Sequence, residues 1–133
     1  MEYILKYLKG SWGIYVRVNG SIESGFDPNA QFRKAGLSAV VEDPSPLLDS
    51  WAIEISKAVD YLSNHVEDNP LVLNIESIEV LHVDFQIESL KYAIVMWAAK
   101  NLGMDYISCQ IKFDKVSNVY VFKLNDGNQT ITL

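Results

Sequence analysis

The chain has 133 residues, 49% of them hydrophobic, and a formal net charge of −6. That length supports one domain, residues 1–133, around a single buried core, and the apolar content excludes a disordered chain. The lone cysteine, Cys109, excludes an internal disulfide, while Glu2, Lys6 and Lys9 interrupt any secretory apolar core near the N-terminus.

No apolar run is long enough to span a bilayer, so the sequence reads as a soluble, cytoplasmic protein with no membrane partner. Its charge is unevenly placed. Between Glu42 and Glu88 there are eleven acidic residues and one basic residue, Lys57, so that segment carries −10 and the remainder sums to +4. Such a segment repels nucleic acid and attracts a basic protein surface.

In chain order, residues 3–8 (YILKYL) read as a first strand. Ile14, Val16 and Val18 alternate with Tyr15 and Arg17, and Asn19-Gly20 has the composition of a type I′ hairpin turn, with residues 21–26 returning. Turn-forming residues over 27–36 predict a loop, and residues 37–41 the third strand. Pro44 and Pro46 end that strand and lead into a helix over about 46–66, whose apolar stripe is Leu48, Trp51, Ile55, Ala58, Val59 and Leu62.

The stretch from Asn69 to Gly103 organises the rest. Its strand carries Leu71, Leu73 and Ile75 on one parity, then Ile78 and Val80 on the other, with Glu76-Ser77 between. Side chains alternate with period two, so this phase change predicts a bulge, a bend or two short strands. A helix over about 85–102 follows, apolar without interruption across 93–99 (AIVMWAA), with Asp84 as the expected N-cap and Gly103 as the expected left-handed terminator. Strands over 106–113, 119–124 and 129–133 complete the order β-β-β-α-β-α-β-β-β: an α+β fold with two helices on a mixed, largely antiparallel sheet.

Catalytic equipment is sparse. Cys109 lies in an alternating strand and reads as a small buried hydrophobe, no nucleophile elbow or phosphate-binding glycine loop is present, and no cofactor is implied. The sequons at Asn19 and Asn128 read as turns, and Trp12, Trp51 and Trp97 as core residues. The one grouping with acid/base or metal character is His82, Asp84 and Glu88, which would suit a small metal-dependent hydrolase.

Two resemblances bear on function. The run His82-Val83-Asp84, then Glu88, then the small-residue helix through Ala93, Ala98 and Ala99, is similar to the strand-turn-helix of domain IV of the large elongation factors, whose fold is that of ribosomal protein S5 domain 2. It covers about half the chain, residues 47–113, and implies at most a translation-associated binding module. The whole acidic profile, with the pattern from Ile78 to Gly103, resembles the immunity proteins that accompany bacterial polymorphic and contact-dependent toxins. That resemblance implies a non-catalytic toxin inhibitor that covers a basic, nuclease-type toxin domain. The partner-binding residues expected from the charge are Asp49, Asp60, Glu67, Asp68, Glu76, Glu79, Asp84 and Glu88.

Overall fold

A computed structural model describes residues 1–9, 12–42, 49–66, 69–81 and 85–133. Its elements are β1 (Glu2–Leu8), β2 (Gly13–Ser24), β3 (Phe32–Lys34), β4 (Leu37–Val41), α1 (Asp49–Ser63), β5 (Leu71–Val80), α2 (Ser89–Asn101), β6 (Ile107–Asp114), β7 (Val119–Asp126) and β8 (Gln129–Ile131). The class is the expected α+β. The strands form two sheets, a five-stranded one ordered β1-β2-β5-β4-β3 and a three-stranded one ordered β6-β7-β8. β4 and β5 pair in parallel and every other ladder is antiparallel.

Helix α2 explains the two sheets. Eleven of its thirteen residues are buried, so it has almost no face for water. β1 and β2 pack on it from the larger sheet, β6 and β7 from the smaller, and α1 lies alongside. At its centre Trp97 is fully buried, and its indole N–H donates to the Met1 carbonyl at 3.0 Å. The helix ends at Gly103, whose φ of +68° is the left-handed conformation expected there. Its start differs from expectation. The helix begins at Ser89, with Glu88 at the N-cap position and no side-chain cap bond, while Asp84 lies outside the described residues.

The phase change in β5 is a bulge. Asn19 pairs with Ser77 and Gly20 with Ile75, leaving Glu76 as the extra residue. Leu73 and Ile75 before it, and Ile78 after it, therefore all point into the core. The same contact corrects the reading of Asn19-Gly20. It is not a turn, because β2 runs straight through it. A Cβ on Gly20 would lie 2.0 Å from the Asn74 carbonyl oxygen, so glycine is required by the close approach of β5. The expected loop over 27–36 likewise contains β3, a short edge strand on β4.

Between the helices, among the described residues, the core holds one charged pair. The Lys91 ammonium donates to Glu54 Oε1 at 2.7 Å, with side-chain exposures of 4% and 7%, and Lys57 approaches the second Glu54 oxygen at 3.5 Å. Removing Glu54 strands the Lys91 ammonium in a desolvated site, so Glu54→Leu should cost about 3–5 kcal/mol in urea unfolding. The double variant Glu54→Leu/Lys91→Met should recover much of that loss, since it leaves no buried charge.

Candidate functional site

The crossover β4–α1–β5 joins parallel strands, so α1 runs back against them. Its first turn therefore lies beyond the C-terminal end of β4, and Ser50 and Ile53 there face Ile87 and Glu88 at the start of α2 across a shared groove. Contact between the rings of Trp51 and Phe85, centroids 5.6 Å apart, closes this arrangement. Two residues beyond Trp51, Ile53 is 57% exposed, and Leu81, just past β5, is 48% exposed. A groove of about 440 Å³ opens between the helices, lined by Ile53, Glu54, Lys57, Ile87, Glu88 and Lys91 among others.

Four of the eight expected acids belong to this end. Asp49 is exposed in the first turn of α1, and Glu88 is exposed at the N-cap of α2. Glu76 is exposed at the bulge and Glu79 farther along β5, on the side of the sheet away from the helices. Glu79 accepts a bond from Arg17 at 3.1 Å, and Arg17 also pairs with Glu2, so its charge is matched. Among the described residues no ion pair holds Asp49, Glu76 or Glu88. Asp60 stands apart, in the C-terminal half of α1, with Lys34 at 3.5 Å. Glu67, Asp68 and Asp84 lie outside the described residues.

The five placed acids thus do not share one surface. Asp49 and Glu88 belong to the helix layer, and Glu79 projects from the far side of the sheet. Glu54, one of the acids in the −10 segment, is withdrawn from the surface by Lys91. One acid outside the expected set joins this end: Glu42 is exposed just after β4, its N–H bonded to the Ile75 carbonyl at 2.9 Å. Of the expected metal-binding group, His82 and Asp84 lie outside the described residues, and only Glu88 is placed. No cluster of three or more His, Cys, Asp or Glu is disposed to hold a metal among the described residues.

A second polar constellation, signalled by no sequence pattern, lies at the opposite end of α1. Asp126 Oδ2 accepts from the Tyr61 hydroxyl at 2.5 Å and lies 3.0 Å from His65 Nε2, while His65 Nδ1 is 3.3 Å from the Tyr61 carbonyl. Tyr106 stacks on the imidazole, and an open groove of about 630 Å³ lies beside them. Both imidazole nitrogens lie within hydrogen-bonding distance of acceptors of the fold, the Tyr61 carbonyl and the Asp126 carboxylate. Burial, and then the bond to the Asp126 carboxylate, push the Tyr61 hydroxyl well above its ordinary range, keeping it a donor. This cluster ties α1 to the end of β7. Asp126→Ala should therefore lower stability by about 2–3 kcal/mol in urea unfolding, because it removes a charged acceptor shared by two donors.

Cys109 is where the alternation placed it, in β6, and burial pushes its thiol up to about 12 from an ordinary 9.0. It should react with Ellman's reagent at pH 8 far more slowly in the native protein than in urea. A native pKa above the unfolded one leaves stability intact below about pH 9 and drains it as pH rises towards 12. The wild type should accordingly lose urea resistance over that window more steeply than Cys109→Ala.

Comparison with known proteins gives no match: no protein-family model, no curated protein and no solved structure is significantly similar to the chain.

Proposed function

We propose that the protein is a non-catalytic immunity protein that neutralises a basic toxin domain by docking it against the end where α1 and α2 begin. It acts in the cytoplasm, without a cofactor, by covering the toxin's working surface. The observation that supports this reading is the company kept by the unmatched carboxylates. Asp49, Glu76 and Glu88, with Glu42, belong to the same end as exposed Ile53 and Leu81 and the half-buried Trp51–Phe85 pair. Apolar and aromatic anchors within a charged rim are the composition of a protein-binding surface.

Charge elsewhere favours a directed approach. Lys112 and Lys123 are exposed on the outer face of the smaller sheet, and Lys115 in the β6–β7 turn. Asp114, at the end of β6, accepts from the turn amide of Val116 at 3.0 Å. A molecule negative at one end and positive on a separate face orients a basic partner before contact.

The test begins with the toxin domain recovered by pull-down from the native host, followed by stopped-flow association. The double reversal Asp49→Lys/Glu88→Lys should slow association about tenfold or more at low salt (about 20 mM) and much less at about 0.5 M. Asp60→Lys, at the other end of α1 and already matched by Lys34, should change the rate less than about twofold. Equal effects from the two reversals, or association indifferent to salt, would sink the assignment of the acidic end as the docking site.

A further inference from the structure

The groove between α1 and α2 divides its charge in an informative way. At its floor Glu54 is closed upon Lys91 at 2.7 Å and takes Lys57 at 3.5 Å, so the interior carboxylate is already satisfied from both sides. The walls are apolar: Ile53, 57% exposed, faces solvent from α1, away from the buried stripe of Ile55, Ala58, Val59 and Leu62, and Ile87 lines the α2 side. The free charge stands at the lip, where Glu88 is exposed and unmatched among the described residues, because Lys91 one turn on is committed to Glu54. Asp49, at the start of α1, adds a second unmatched carboxylate to the same end.

Such a groove has no use for a cation at its floor. A buried positive charge there would meet Lys91 and Lys57, whereas an aliphatic side chain would remove Ile53 and Ile87 from water at no electrostatic cost. At the lip the preference reverses, since Glu88 gains from a cation and repels an anion. A volume of about 440 Å³ admits one or two aliphatic side chains of a docked segment and is too open to enclose a small molecule.

We infer that this groove receives a basic amphipathic segment of the partner, an aliphatic anchor seated between Ile53 and Ile87 and a flanking lysine or arginine paired with Glu88. The inference rests on the reading of the acidic end as the docking site and adds the chemistry of what docks there. It requires the anchor and the cation to be adjacent on one face of the partner, as they are on a basic amphipathic helix.

The experiment uses the full chain, 15N-labelled, and three synthetic peptides of equal length: a leucine/lysine amphipathic helix, an all-lysine peptide and a leucine/glutamate helix. The leucine/lysine peptide should bind about tenfold or more tightly than either of the others and shift the amides of Ser50, Ile53, Ile87 and Glu88. Ile53→Ser and Glu88→Lys should each weaken it about five- to tenfold, while Asp60→Lys should not. If the all-lysine peptide binds equally well and still responds to Glu88→Lys, the groove is not used; the inference fails and the acidic docking end survives. If neither lysine-containing peptide binds, or the leucine/glutamate peptide binds as well, both fall. Shifts confined to the outer face of either sheet would likewise overturn the placement in the groove.

Discussion

The burial of α2 sets the position of every other layer. With Leu90, Ala93, Ile94, Val95, Trp97 and Ala98 all inaccessible to water, no single sheet could cover the helix, because a sheet shields one side of a cylinder. The larger sheet takes one side, the smaller sheet the other, and α1 fills the flank. Each large side chain so buried contributes on the order of 1.5–3 kcal/mol, and the helix forms the seam between the two sheets. The smaller sheet owes its place to this helix: Ile107, Tyr120, Phe122 and Leu124 bury against the core, and the Tyr92 hydroxyl donates to the Phe122 carbonyl at 3.1 Å.

Where α1 meets α2, complete burial would have favoured two more apolar residues. Glu54 and Lys91 stand there instead. A pair of this kind adds little net stability over a hydrophobic substitute, but it penalises any shift in register between the helices, because the buried Lys91 ammonium has Glu54 as its carboxylate partner and would lose it. The register it holds is also what aligns the first turns of α1 and α2, and with them Ile53, Ile87 and Glu88. Fold and candidate site are thus linked through a single contact of 2.7 Å.

Much of the architecture was legible in the sequence because its signals are local. The unbroken apolar run of α2, the left-handed Gly103 and the parity flip around Glu76 each follow from a backbone rule that operates within a few residues, and each appears where expected. Asn19-Gly20 misled for the same reason: its local composition is that of a turn, while the demand for glycine comes from Asn74, more than fifty positions away. The Tyr61–His65–Asp126 cluster was invisible because Asp126 lies 61 positions from His65, and no periodicity connects them. The acidic segment was legible as charge but not as surface. Sequence counts Glu54 as one carboxylate among eleven, and only the packing of α1 on α2 shows that it faces a lysine instead of water.

What remains is to weigh the carboxylates at the helix starts against those on the strands. Asp49 and Glu88 have a structural reason to be there, since an acid in the first turn interacts favourably with the helix dipole by about 0.3–1 kcal/mol. Glu42 and Glu76 have none. They follow Val41 and Ile75, the last paired neighbours in the parallel ladder, so the fold brings two like charges side by side just past the end of that ladder, Glu42 after β4 and Glu76 at the bulge within β5. In water their repulsion is on the order of 1 kcal/mol or less and is screened within roughly 10 Å, a cost the fold can bear. The same charges act together on a body approaching from outside, where their potentials add. A cation brought to this end would relieve the repulsion between the strand carboxylates while meeting the helix-start acids, and that coupling gives a basic partner a free-energy advantage no neutral one can match.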